Sequence, residues 1–333
     1  MMTSVSDISA PTQPPPLTRP KERIPLLLGA CAVLALAALS LCVGVYDILG
    51  QPDGMRIFFI TRIPRTASLL LSGAAMAMCG LVMQQITRNR FVEPTTTGTT
   101  EWAGLGLLLV LMFVPTAPLM VKMVAAIISA FAGTLIFFLI LRRLELRSPV
   151  IVPIVGIMLG AVVGAVSSLL ALSSNLLQSV GIWFMGSFAS VVEGQYEPMW
   201  AILFVVIGVF IAADRITIAG LGKDVATSLG LNHEQIVFIS TGLVAIATGI
   251  VTVVIGNLPF IGLIIPNLVS MWRGDDTRSS LPWVCLSGAA LVTICDIFSR
   301  VVIMPFEVPV GTILSIVGAG VFLVLLLRDH RHV

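Results

Sequence analysis

Apolar residues gather along this chain into blocks of up to about 20, the length a helix needs to cross a bilayer, and fewer suffice where protein rather than lipid surrounds a helix end. The blocks are Ile24 to Tyr46, Ala67 to Ile86, Ala103 to Val114, Val121 to Leu141, Ile151 to Leu172, Met199 to Ala213, Gln235 to Ile255, Phe260 to Trp272, Pro282 to Ile303 and Val310 to Leu327. The third and eighth are the shortest. The pattern predicts an all-α polytopic membrane protein of about ten transmembrane helices, filling residues 24–328. Residues 1–23, polar and broken by Pro11, Pro14, Pro15, Pro16 and Pro20, read as a disordered tail, and 329–333 as a short C-terminal one.

Composition agrees: 57% of residues are hydrophobic, 11% are charged, and the mean hydropathy of +1.05 lies far outside the globular range. The placement of charge says more than its sum. With the N-terminal tail in the cytoplasm, the inner intervals hold Arg19, Lys21, Arg23, Arg88, Arg90, Arg142, Arg143, Arg147, Arg215, Lys223, Arg273, Arg278, Arg328 and Arg331. The outer ones hold only Arg56, Arg62, Arg65, Lys122 and Arg300. That bias satisfies the positive-inside rule for an even number of spans with both termini cytoplasmic. Basic residues are scattered rather than clustered, so no nucleic-acid surface is expected. Cys31, Cys42, Cys79, Cys285 and Cys295 lie inside apolar blocks without metal-ligand spacing and read as small core residues.

Small residues recur within the spans and let helix backbones approach closely where lipid gives no hydrophobic drive to association. Leu71-Ser-Gly-Ala-Ala75 and Leu286-Ser-Gly-Ala-Ala290 repeat the same five residues. An internal repeat and chance in Gly- and Ala-rich helices both explain this.

Three polar intervals are candidates for function. The longest, Asp214 to Glu234, contains a short helical pattern in which Leu221, Val225, Ala226 and Leu229 share a face. Asp224 suits the positive end of that helix and Gly230 its C-terminal cap. It is either a helix lying on the membrane surface or folded under its own bundle, or a peg for a partner's groove. Arg62-Ile-Pro-Arg65 and Asp296-Ile-Phe-Ser-Arg300 place arginines at outer span ends, as snorkelling anchors or as a dock for an acidic partner. The run Arg88-Asn-Arg-Phe-Val-Glu-Pro-Thr-Thr-Thr-Gly-Thr-Thr-Glu101 breaks its helix at Pro94 and Gly98 and sets the Glu101 carboxyl at the membrane edge. Such a group is either functional or bonded to nearby hydroxyls and backbone.

Span interiors hold almost no other carboxylate, and Asp296 already has Arg300 beside it, which argues against an ion-driven pump. Gly220-Leu-Gly-Lys223 lacks the spacing and the hydroxyl of a phosphate-binding loop, so this chain does not hydrolyse ATP. His233, His330 and His332 lie in loops or the tail, and an enzyme is not expected. Neither is a cofactor.

These residues also carry a resemblance over nearly the whole chain. In order, Arg62-Ile-Pro-Arg-Thr66, Gly73 to Gln84, Arg88 to Pro94, Trp183-Phe-Met-Gly-Ser187, Leu221 to Gly230, Pro259 to Pro266, Asp296 to Arg300 and Val308-Pro-Val-Gly311 resemble the iron-siderophore and cobalamin permeases of ABC importers of the type II fold. The resemblance implies a subunit of a bacterial cytoplasmic membrane that works with a second permease, identical or paralogous. It implies two cytoplasmic ATPase subunits and a periplasmic or lipid-anchored binding protein that delivers the chelate.

By that resemblance Leu221, Gly222, Lys223, Asp224, Val225, Ala226, Leu229 and Gly230 form the coupling helix on the ATPases. Arg62, Arg65 and Arg300 meet the binding protein, and Trp183, Met185, Gly186 and Ser187 form a re-entrant gate. Thr96, Thr97, Thr100, Glu101 and Asn267 stand along the path. Asn267, where cobalamin-type members carry His, and the threonines, where they carry Gly and Ser, are similar to the branch serving ferric catecholate and mixed-ligand siderophores. Cobalamin or haem is the alternative cargo, and an ion-driven carrier the alternative mechanism.

Overall fold

The computed structural model describes residues 20–44, 53–144, 150–274 and 276–329. Nearly all of the tail predicted at 1–23, the loop with Arg147 and residues 330–333 lie outside the described residues. The chain forms α1 (Pro20–Cys42), α2 (Gly54–Ile57), α3 (Ile63–Thr87), α4 (Thr99–Phe113), α5 (Leu119–Leu141), α6 (Ile151–Ser173) and the short α7 (Leu177–Phe184). There follow α8 (Ala201–Gly220), the short α9 (Lys223–Ser228), α10 (His233–Val254), α11 (Ile261–Arg273), α12 (Thr277–Val301) and α13 (Val310–Asp329). No strand occurs among the described residues.

Each predicted apolar block carries a helix, with boundaries that differ for local reasons. The second was expected to begin at Ala67, yet a continuous stretch runs from Gly54 through a π-helical turn at Phe58–Arg62 into α3. Pro64 lies just past the π-helical turn, where Ile63 N still donates to Phe58 O, and the helix continues through it. Among the described residues seven helical stretches are long and apolar enough to cross a membrane, against the ten expected; Thr99–Phe113, Val310–Val324 and the 13-residue α11 are shorter. Pro266 lies inside α11 and leaves the carbonyl of Gly262 without its N–H four residues on. Gln84 of α3 supplies that bond instead, its Nε2 donating to Gly262 O at 3.1 Å.

α3 and α10 are the most buried of the long helices, and α12, α11, α8 and α10 all pack against α3. Small residues make this possible. A Cβ at Gly73 would lie 2.5 Å from the carbonyl oxygen of Gly288, and one at Gly288 would lie 2.6 Å from the Cβ of Ala77. The two Leu-Ser-Gly-Ala-Ala segments therefore pack against each other, one on α3 and one on α12. Gly80 crosses Gly262 of α11 with still less room, since a Cβ there would overlap backbone atoms. Gly80→Ala is expected to destabilise the bundle by about 1–3 kcal/mol through forced backbone displacement. Gly320→Ala, where nothing lies within 4 Å, should leave the thermal unfolding midpoint of the detergent-purified protein unchanged and serves as control.

Large apolar side chains cover the outside of α6, among them Ile157, Met158, Val162, Leu169 and Leu172. Such a surface requires lipid or another apolar protein face.

Candidate functional site

At one end of the bundle α1, α3 and α12 converge on a charged cluster. Asp296 of α12 is fully buried, and a carboxylate there needs compensating charge. Arg65 Nη2 meets Asp296 Oδ1 at 2.8 Å and Arg300 Nη2 meets Asp296 Oδ2 at 2.7 Å. Arg300 also donates from Nη1 to the carbonyls of Ser40 at 3.0 Å and Val43 at 2.7 Å, and from Nη2 to Ser40 Oγ at 2.7 Å. Arg62 donates from Nη1 to Leu41 O at 2.7 Å. The arginines expected on the rim thus turn inward and tie α1, α3 and α12 together. Glu307, in the loop before α13 and 31% exposed, grips Arg65 through two bonds, from Nη1 to Oε1 at 3.0 Å and from Nη2 to Oε2 at 2.8 Å. Sequence spacing could pair Asp296 with Arg300 four residues on; it could not bring in Arg65, Ser40 or Glu307.

The Glu307 loop leads to the predicted gate. Val308 N donates to Ser299 O at 3.2 Å and Gly311 N to Gly186 O at 2.9 Å. α7 ends at Phe184, and the next residues are stapled to the end of α10: Trp183 Nε1 donates to Val253 O at 3.0 Å and Ser187 N to Ile255 O at 3.1 Å. Gly186 has φ 66°, where a side chain would be strained and would also strike the carbonyl of Asn257. Met185 is exposed beside it. Trp183, Met185, Gly186 and Ser187 therefore occupy one tight crossing of α7, α10 and α13.

The threonine-rich run mostly satisfies itself. Thr96 Oγ1 accepts from Glu93 N at 2.9 Å, Thr97 Oγ1 donates to the carbonyl of Glu93 or Pro94 at 3.1 Å, and hydroxyls pass from Thr97 to Thr99 at 3.0 Å and from Thr99 to Thr134 at 2.8 Å. Thr97 and Thr100 are both buried within the chain; the Thr97 hydroxyl serves backbone carbonyls that the broken helix start leaves open, whereas Thr100 Oγ1 has no hydrogen-bond partner. Asn267 also points inward, its Nδ2 donating to Arg90 O at 2.8 Å and Leu263 O at 2.7 Å. Glu101 keeps a buried Oε2 without a hydrogen-bond partner.

One residue that sequence reasoning passed over fastens this loop. Glu93 is fully buried, and its Oε1 accepts from Phe260 N at 3.0 Å and Thr95 Oγ1 at 2.5 Å. It thereby caps the start of α11, where Phe260 takes the left-handed φ of 65°. The available signal was a carboxylate between Val92 and Pro94 with a hydroxyl two residues on; its partner, 167 residues away, left none.

At the opposite end α9 spans only Lys223–Ser228, because α8 runs on to Gly220 and takes up the first part of the predicted polar interval. Gly230 has φ 77° and closes α9, with Gly230 N donating to Thr227 O and Leu231 N to Ala226 O, both at 2.9 Å. Ala226 faces inward, whereas Leu221, Val225 and Leu229 project outward, 61%, 42% and 61% exposed. The apolar face predicted from spacing is split, with its large members uncovered. Behind it a Cβ at Gly220 would lie 2.5 Å from Gln85 Oε1, and one at Gly222 2.8 Å from Arg88 Nη1. The junction of α8 and α9 thus rests on the end of α3.

Apolar helices long enough to span a bilayer, with large apolar side chains on their outward faces, make this a multi-pass membrane protein. The chain belongs to the FecCD transport family, whose profile matches residues 26–328. It is 58% identical over 92% of both chains to the petrobactin import system permease protein FatD of Bacillus anthracis. To the ferric-anguibactin transport system permease protein FatD of Vibrio anguillarum it is 40% identical, covering 81% of this chain and 86% of that one. Among solved structures, an inward-facing metal-chelate type ABC transporter aligns with TM-score 0.79 and 26% identity over 93% of this chain and 100% of the other. The protein is accordingly a permease subunit of an ABC importer in the inner membrane, a transport component and not an enzyme. Membership of the family implies ATPase and binding-protein partners and a paired permease.

Proposed function

We propose that the chain translocates a ferric siderophore of the petrobactin type, as one of two permeases joined to two ATPase subunits and fed by a siderophore-binding protein. The similarity to the petrobactin permease along nine-tenths of both chains carries this reading. The charge bias of the loops supports the α9 end as cytoplasmic, with both termini on that side. There α9 seats on the ATPases through Leu221, Val225 and Leu229, around Gly222, Lys223, Asp224, Ala226 and Gly230. At the outward end an acidic side chain of the binding protein takes the place of Glu307 on Arg65, while Arg62 and Arg300 hold the helix ends in register. Because Glu307 leads through Val308 to Gly311 and Gly186, such an exchange would bear on the gate formed by Trp183, Met185, Gly186 and Ser187. Thr96 and Glu101 face the path, while Thr97, Thr100 and Asn267 hold its wall in shape.

Proteoliposomes carrying the permease pair, the ATPases and the binding protein are expected to accumulate ferric petrobactin only when ATP is present. Uptake without any ATPase subunit would make the chain an ion-driven carrier. ATP-dependent uptake of cobalamin or haem in place of the chelate would overturn the cargo.

A further inference from the structure

Between α4, α6 and α7 lies a cavity of about 270 Å³ lined by Glu101, Gly164, Ser167, Ser168, Val180 and Phe184, among others. It is smaller than a pocket that encloses a drug-sized ligand, so it can take an arm of a chelate but not a whole one. Its walls are mostly apolar, and two buried polar atoms in it have no hydrogen-bond partner: Oε2 of Glu101 and Oγ of Ser167. The Glu101 carboxyl packs over α6, where a Cβ at Gly160 would touch its Cδ and Oε2 at 3.5 Å. No ion pair to Glu101 occurs among the described residues. A buried carboxylate oxygen and a buried hydroxyl that both lack partners, lining one cavity, are costly and are satisfied by a ligand that donates hydrogen bonds and carries positive charge.

We infer that this cavity is a subsite for a protonated amine on an arm of the passing cargo, with Glu101 as its counter-charge and Ser167 as a second acceptor. The inference rests on the transport reading above and deepens it. Recognition at this point is weak and local, so a large chelate is guided past the re-entrant α7 without being trapped. Specificity for the whole chelate stays with the binding protein.

The test uses the complete importer in nanodiscs carrying Ser167→Cys, with labelling at position 167 followed by peptide mass spectrometry. Two thiol reagents are compared, 2-aminoethyl methanethiosulfonate, a cation, and 2-sulfonatoethyl methanethiosulfonate, an anion, each normalised to its rate with free cysteine. The cation is expected to be favoured about tenfold or more, the effect of one charge held close in a medium drier than water. Adding Glu101→Gln should bring the ratio to about one. A ratio unmoved by Glu101→Gln, or no labelling by either reagent, overturns the subsite. This labelling needs no transport, so a complex that imports no chelate would sink the transport reading while the subsite is still measured. In uptake, Glu101→Gln should slow an amine-bearing ferric chelate and leave its N-acetylated form unaffected; equal slowing of both overturns the role in cargo recognition.

Discussion

Asp296→Asn is expected to abolish stable folding of the permease, whereas Glu307→Gln leaves the fold intact. Both substitutions remove one negative charge that Arg65 now meets, at 2.8 Å in each case. They differ in what is left behind. Asp296 is fully buried and is shared with Arg300, whose side chain is 5% exposed. Losing its charge strands a guanidinium in a place where water cannot reach it, at a cost of about 3–5 kcal/mol. That is a large part of the stability a domain has. The yield of monodisperse protein in size-exclusion chromatography should collapse, and Asp296→Glu should recover it only in part because the longer side chain has no space. Glu307 is partly solvated, so removing its charge frees Arg65 towards solvent at little cost. If Arg65 then receives an acidic group of the binding protein, Glu307→Gln should raise the affinity of that complex several-fold, chiefly through faster association at low salt. Unchanged affinity would detach Arg65 from docking, and a well-folded Asp296→Asn protein would show that the cluster does not hold the three helices.

What was legible in the sequence divides by range. Every long helix was visible as an apolar block, since spanning a bilayer imposes a length and a composition on consecutive residues. Gly230 as a helix stop was visible for the same local reason. The direction in which a side chain points was not. Arg65 and Arg300 read as rim charges because both partners of Arg65 are more than 200 residues away. Ala226 and Val225 share a periodic face on paper, yet six residues of α9 turn one inward and leave the other out. The repeated Leu-Ser-Gly-Ala-Ala was ambiguous between repeat and chance, and its physical meaning, two thin faces placed against each other, appears only when α3 meets α12. Glu93 escaped notice because a carboxylate that caps a distant helix leaves no periodicity.

The largest functional effect without a loss of fold is expected from α9. Leu221, Val225 and Leu229 stand at every fourth residue with large exposed apolar surfaces at the α9 end of the bundle. This chain leaves them uncovered at the α8–α10 turn, and Lys223 pairs with Glu234 at 3.7 Å while Arg142 approaches the same carboxylate at 3.5 Å, giving the peg a charged collar. Replacing Val225 and Leu229 by Asp together puts two carboxylates where, on the proposed reading, an apolar groove of the ATPase closes. An interface core tolerates such a change poorly, with a loss of several kcal/mol for buried anchors. The variant should fold normally, since Ala226 keeps the contact that seats α9, yet the ATPases should no longer copurify and ATP-dependent chelate uptake should fall below a few percent of the parent value. Binding-protein association at the far end should be unaffected. The expected transmission is mechanical: the α8–α9 junction abuts Gln85 and Arg88, so force on the peg enters the end of α3, the most buried helix, whose other end holds Arg65. A milder variant, Gly220→Val, keeps the peg but wedges it from Gln85. If ATPases still bind that variant and hydrolyse ATP without moving chelate, the coupling runs through α3; if uptake persists, it takes another route.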